Sequence, residues 1–195
     1  MIRPLKSTEA CDNVAQLIYQ TDDVLFPFLF GKIDKAIPKL VDLIALEHNS
    51  FSYKHIIAYT ENEEILGILL GYNPEEIVSE KEDRDFSNVF SKLEIFSLFC
   101  KHMILKPLDD KSDIDGFYIQ NISVDEHHRG KGIGTQLIEH CFNEVRQKGI
   151  NSVFLDVTIE NEKAKKLYER KGFSVIKKKN LLFSLGGIYR MKKEL

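Results

Sequence analysis

Tyr118-Ile-Gln-Asn-Ile-Ser-Val124 reads as a strand, and the run Thr135 to Val145 carries its apolar residues at helical spacing. Between them stands Asp125-Glu-His-His-Arg-Gly-Lys-Gly-Ile-Gly134. This order of strand, glycine-rich turn and helix constrains the chain more than any other feature in it. The first turn of a helix leaves its backbone N–H groups without intrahelical partners, and the helix dipole adds partial positive charge there. A pyrophosphate fits such a site. Glycines at 130, 132 and 134 let the backbone approach it closely and take up positive φ. Arg129 supplies a fixed charge at the rim.

Two common phosphate loops are excluded by spacing. A P-loop closes on Gly-Lys-Ser/Thr, so that the hydroxyl can hold magnesium, but Gly130-Lys131 is followed by Gly132. A dinucleotide fingerprint needs glycine at the sixth position of G-x-G-x-x-G. Counted from Gly130 or Gly132, that position holds Thr135 or Leu137. On the turn's chemistry alone, a glycine-rich turn without a ligand stays open. Arg129-x-x-Gly132-x-Gly134 does fit Q/R-x-x-G-x-G/A, the acyl-CoA turn of the GNAT superfamily of N-acetyltransferases. The run Ile122 to Leu137 resembles that family throughout.

A second segment, Asn161-Glu-Lys-Ala-Lys-Lys-Leu-Tyr-Glu-Arg-Lys-Gly-Phe173, reads as a short helix. Asn161 suits its N-cap, Glu162 its first turn and Gly172 its left-handed end. At about 100° per residue, Asn161, Ala164 and Tyr168 share one stripe, and the small Ala164 leaves a slot between the other two. A lone helical tyrosine often does no more than pack and donate a hydrogen bond. Here N-x-x-A-x-x-L-Y-x-x-x-G-F resembles the GNAT segment beside the cofactor's thiol. The resemblance implies Tyr168 as general acid to the departing CoA thiolate and Asn161 as a contact of the pantetheine arm. A phenol of pKa about 10 is protonated at neutral pH and can stabilise the anion of a thiol of pKa about 8–9.

The 195 residues suit one domain, 1–195, and 43% apolar with 29% charged residues is ordinary for a globular protein. A net charge of −3 gives no general attraction to nucleic acid or to anionic membrane. No stretch reads as a membrane span, and Met-Ile-Arg-Pro-Leu-Lys-Ser lacks the make-up of a signal peptide. Cys11, Cys100 and Cys141 are too scattered for a disulfide framework or a zinc site. The expectation is a reduced cytoplasm, no metal, and cysteines that fill the core. His127 and His128 are expected to be exposed.

The periodicities predict a strand at 1–5, a helix over 9–20 capped by Ser7, a phenylalanine-rich loop over 22–31, and a helix over 35–48 with Pro38 near its first turn. An antiparallel hairpin follows, 54–60 with 64–71, then the long strand 116–124 and the anion-site helix. A strand at 152–157, the short helix 161–171 and strands near 173–178 and 188–192 close the chain. This is α+β, a GNAT-like mixed central β-sheet flanked by helices, with a helical insertion at 74–115 before the fourth strand. Asn73-Pro-Glu-Glu reads as a helix start. Val89 to Cys100 is apolar on nearly all sides, so a second core layer, a substrate wall and a homodimer surface are all open for it.

The resemblance implies direct transfer of an acetyl group from acetyl-CoA to a primary amine, of a small molecule or a peptide. Arg129, Gly130, Lys131, Gly132, Ile133, Gly134 and Thr135 would hold the pyrophosphate. Pantetheine would run between parted strands along Ile122 and Val124, with Asn161, Ala164 and Tyr168 on its flank. The N–H of Val124 would face the thioester oxygen. Gln120 and Asn121 stand where many relatives carry a glutamate base, and neither can act as one. Water-mediated deprotonation leads, with Asp115 and Glu47 as remote candidates. Phe26, Phe28 and Phe30 read as core anchors or as an acceptor wall, and Asp22 and Asp23 as attraction for an amine. The competing function is a non-catalytic acyl-CoA sensor or interaction module.

Overall fold

The structure is a computed structural model that describes residues 1–109, 111, 113–180 and 186–195. Its elements are β1 (Ile2–Pro4), α1 (Asp12–Tyr19), α2 (Leu25–Phe30), α3 (Ile33–Ala45), β2 (Ile56–Glu61) and β3 (Glu64–Tyr72). Then come α4 (Ser79–Val89), α5 (Lys92–Asp109), β4 (Phe117–Val124), α6 (Ile133–Gln147), β5 (Ser152–Thr158), α7 (Glu162–Arg170), β6 (Ser174–Asn180) and β7 (Gly187–Glu194). The strands form one sheet in the order β1-β2-β3-β4-β5-β7-β6. Neighbours are antiparallel except β4 and β5, which run parallel. The expected α+β architecture with a mixed central sheet stands.

Helices cover both faces because the central strands are apolar on both sides; β3 is buried from Ile65 to Tyr72. On one face Val14, Ile18, Leu40 and Ile44 of α1 and α3 pack on Ile56, Ile68 and Leu70. On the other, Leu137, Ile138 and Phe142 of α6 pack on Leu69, Ile119 and Leu155. The β2–β3 hairpin closes through Asn62 and Glu63, both at positive φ, which matches the right-handed twist of its strands. Among the described residues no helix is long and apolar enough to cross a membrane.

Four expectations change. Residues 25–30 form α2 rather than a loop, because Pro27 falls in the first helical turn, where its missing N–H has no bond to lose. Ser7 does not cap α1; Ser7–Glu9 makes a single 3-10 turn and α1 starts at Asp12. Pro38 lies beyond the first turn of α3, whose first residue is Ile33. Asn73 begins only the turn Pro74–Glu76, and the insertion carries two later helices. The cysteines divide as well: Cys141 is buried, with its thiol pushed up to about 12 by desolvation, whereas Cys11 and Cys100 are exposed. His127 is exposed as expected, while His128 is half-buried against Asp125 at 2.7 Å.

One carboxylate ties the insertion down. Asp85 of α4 is buried, and its Oδ2 accepts from the His48 N–H at 2.8 Å and from Asn49 Nδ2 at 3.0 Å. Asn49 in turn donates to the Leu43 carbonyl and accepts from the Phe51 N–H, so the segment after α3 is organised around this pair. Asp85→Ala would leave two donors without an acceptor. Its expected cost is about 2–4 kcal/mol in urea unfolding, against less than about 0.5 kcal/mol for the exposed Glu80→Ala.

Candidate functional site

β4 and β5 pair only from Phe117 to Ile119 opposite Val153 to Leu155, and beyond that they part. On its other edge β4 stays paired with β3 as far as Val124, opposite Gly67. The register slips there: Leu70 faces Asn121 and Gly71 faces Ile119, which leaves Gln120 as a bulge. An extra residue bends the strand and reverses which side chains face which layer. Ile119 borders the α6 core before the bulge, and Ile122 and Val124 border the same core after it. Strict alternation would have put residues 121 and 123 there.

The backbone follows the same logic. The Asp125 N–H donates to the Leu66 carbonyl at 2.9 Å, which marks that pair as bonded. Bonded and non-bonded pairs alternate along an antiparallel ladder. Counting back, Ser123 and Asn121 bond to β3, so Ile122 and Val124 turn their N–H and C=O groups to the opposite edge. That edge is the gap left by β5. Arg129 Nε donates to the Val124 carbonyl at 3.1 Å, which bends the arginine back over the end of the strand.

The turn then runs into α6. Asp125 accepts from the His127 N–H at 3.1 Å and orders Glu126–His128 as a 3-10 turn. Gly130 and Gly132 follow with φ of 81° and 82°, and Gly132 is the N-cap. The first intrahelical bond runs from the Gln136 N–H to the Gly132 carbonyl. The N–H groups of Ile133, Gly134 and Thr135 are therefore the orphans of the first turn. A Cβ at Gly130 or Gly132 would meet nothing within 4 Å, so the approach to these N–H groups is open. The Ile133 side chain is buried, which leaves only its backbone for a ligand, and Lys131 is exposed beside it.

Asn161 caps α7 as its sequence implies, with Oδ1 accepting from the Ala164 N–H at 3.0 Å. Ala164 and Tyr168 border the same apolar cluster as Ile122 and Val124, so both motifs meet on one side of the sheet. The Tyr168 ring lies 5.9 Å from that of Phe173, edge to face. Desolvation pushes its phenol up to about 12. The residue is half-buried, and among the described residues its hydroxyl has no hydrogen-bond partner.

The sheet's other face carries polar groups that sequence spacing does not reveal, since they come from different strands. Tyr72 Oη donates to Gln120 Oε1 at 2.7 Å and accepts from Lys111 Nζ at 2.8 Å. Tyr118 Oη donates to Asp156 Oδ2 at 3.2 Å. Arg190, fully buried, grips both oxygens of Asp156 at 2.9 and 2.7 Å and also bonds Asp113. Burial pulls the Arg190 pKa down, but the two carboxylates outweigh this and raise it. Asn121, 7% exposed, donates from Nδ2 to Thr21 Oγ1 at 2.6 Å. Thr21 gives its own proton to the Ile18 carbonyl, which fixes the amide's orientation and leaves Asn121 Oδ1 without a donor.

The remaining expected residues fall elsewhere. Glu47 is engaged by Lys54 Nζ at 2.7 Å and by Tyr53, and Asp115 is exposed ahead of β4, at the end away from the turn. Phe26 and Phe30 are core anchors stacked among Tyr19, Phe51 and Phe90, and Phe28 lies against Lys101. Asp22 caps the start of α2 by accepting from the Val24 and Leu25 N–H groups. No group of metal-ligating side chains occurs among the described residues.

The site is thus a forked parallel strand pair beside an open helix N-terminus. The model of the Acetyltransferase (GNAT) family matches residues 21–173, and the chain belongs to that family. The uncharacterized N-acetyltransferase YobR of Bacillus subtilis (strain 168) is 34% identical over 113 residues, 55% of this chain and 43% of that protein. The match thus spans less than half of that relative's length. A crystal structure described as that of an acetyltransferase superposes with a TM-score of 0.73 at 26% identity, covering 100% of this chain and 98% of that one. The N-acetyltransferase from Staphylococcus aureus Mu50 reaches a TM-score of 0.79 at 21% identity, over 98% and 99%, a likeness of fold.

The two glycines at the head of α6 should behave oppositely. Gly132→Ala forces a side chain into the left-handed region and should lower unfolding free energy by about 1–2 kcal/mol. Gly134 has ordinary helical φ, and Val124 Cγ2 at 3.7 Å is the nearest atom to a Cβ there. Gly134→Ala should be neutral or stabilising by up to about 1 kcal/mol. Paired urea titrations check both.

Proposed function

We propose that this chain transfers an acetyl group directly from acetyl-CoA to a primary amine, of a small molecule or a peptide. One observation carries the reading: the Ile122 and Val124 backbone faces a strand gap that leads to three orphan N–H groups at the head of α6. Bound there, acetyl-CoA supplies an activated acyl carbon and a thiolate leaving group. The Val124 N–H is aimed where negative charge develops on the thioester oxygen, a contribution of about 3 kcal/mol for a donor of this kind. The Ile122 backbone holds the pantetheine amides as an added strand would. Gly130, Lys131, Gly132, Ile133, Gly134 and Thr135 receive the pyrophosphate through N–H groups and the Lys131 charge, with Arg129 at the rim. Asn161 and Ala164 border the arm, and Tyr168 donates its phenolic proton toward the departing sulfur.

On the acceptor side, the incoming amine must lose a proton before it can attack. Neither Asn121 nor Gln120 can take its proton, and the Asp115 and Glu47 carboxylates lie away from the fork. Water therefore carries the proton away. Free cysteines at 11, 100 and 141 fit a reducing compartment, the cytoplasm.

The test combines an amine panel read by free-thiol release and product mass with CoA binding by thermal shift. CoA should raise Tm, since a ligand bound only to the native state stabilises it. Tyr168→Phe should lower kcat by about 10²-fold with CoA affinity unchanged. An unchanged kcat removes the tyrosine from the mechanism, and CoA binding without turnover on any amine turns the reading toward an acyl-CoA sensor. The pH profile has a definite sign. A phenol pushed up to about 12 stays protonated below that value, and its contribution is lost only as pH rises through it. Activity should therefore climb as the acceptor amine deprotonates, with no descending limb below about pH 10. A descending limb between about pH 7 and 9 would contradict this assignment.

A further inference from the structure

α5 packs one side inward and leaves the other bare. Ile95, Leu98 and the buried Leu105 meet the core, and Lys101 Nζ ties the helix to the Leu29 carbonyl at 2.9 Å. On the solvent side Leu93, Phe96, Phe99, Met103 and Ile104 are between 46% and 83% exposed, and Cys100 is exposed among them. Leu93, Phe96, Cys100 and Met103 follow each other at intervals of three, four and three. That is the a/d spacing of a helix–helix seam, with Phe99 and Ile104 as its shoulders.

We propose that this seam is a homodimer interface in which α5 of one copy packs antiparallel on α5 of a second. Area and self-complementarity both point to a second copy. With roughly 150–250 Å² for a fully exposed large side chain, the five apolar residues bare on the order of 550 Å² per copy. That is the upper end of what a monomer leaves open and about two-thirds of the ~800 Å² each partner of a standard interface buries. The stems of the exposed Lys92 and Lys106 extend the apolar border. In an antiparallel seam, a positions meet d positions. Leu93 then lies against Met103 of the second copy and Phe96 against Cys100 of the second copy, and the dyad repeats both contacts. All four seam positions find a soft or apolar partner, with sulfur beside an aromatic ring at the centre. Antiparallel axes also set the two helix dipoles head to tail.

Sedimentation equilibrium of the full chain at tens of micromolar tests this. The expected mass is about 45 kDa, twice the 22.5 kDa chain. The double variant Phe96→Glu with Met103→Glu should run as a folded monomer, its far-UV spectrum matching wild type and its Tm independent of protein concentration. A second variant covers any failure to fold. Phe96→Cys in a Cys11→Ser background sets a thiol opposite Cys100 of the second copy, and mild oxidation should give a covalent dimer on a non-reducing gel. A monomeric wild type overturns the proposal. So does a dimer that survives both glutamates, or the absence of the covalent dimer.

Discussion

The parting of β4 from β5 is the constraint on which the rest of the site depends. A parallel pair would ordinarily continue bonding until one strand ended. Here the bulge at Gln120 bends β4 while β3 holds it on the far edge as far as Val124. The same extra residue turns Ile122 and Val124 toward the α6 core and fixes the edge their backbone groups face. One inserted residue thus helps to open the gap and sets the hydrogen-bonding edge that faces it.

β5 is kept from closing that space by what holds it on the other side. Asp156 is the first residue after the last β4–β5 pair, and it lies opposite Arg190 in the β5–β7 ladder. A bidentate grip by a fully buried guanidinium is costly to desolvate and costlier still to break. Its use at this point is positional: it anchors β5 to β7 at the level where β4 leaves, and Tyr118 reaches the same carboxylate from the last paired stretch of β4. The polar cluster that results lies on the face away from α6, whereas the apolar border made by Ile122, Val124, Ala164 and Tyr168 lies on the α6 side. The two faces of the fork therefore differ in chemistry, one apolar and the other polar.

Much of the α6 side was legible in the chain. Positive φ at Gly130 and Gly132, the Asn161 cap and the hairpin at Asn62-Glu63 all rest on local geometry, which a short run of residues decides. The misreadings share a cause. The loop expected over 22–31 is in part a helix because Pro27 fits a helical turn once the start is set, and Asp22 sets that start by accepting from two backbone N–H groups. Cys11 and Cys100 are exposed although the scatter of the cysteines suggested core fillers, because spacing along the chain does not say which side of a helix or turn meets the domain.

By itself the sequence determined the glycine-rich turn at the head of α6, the capped helix with its tyrosine, and the alternation of strand and helix that leads to this family's fold. These depend on neighbours within a turn or two of each other. Only the tertiary structure decided the rest: the bulge that aims Ile122 and Val124, the orphan acceptor on Asn121, the Asp156–Arg190 anchor and the bare seam of α5. Each of those is a relation between segments distant in the chain. Register, burial and hydrogen-bond satisfaction exist only once those segments have packed.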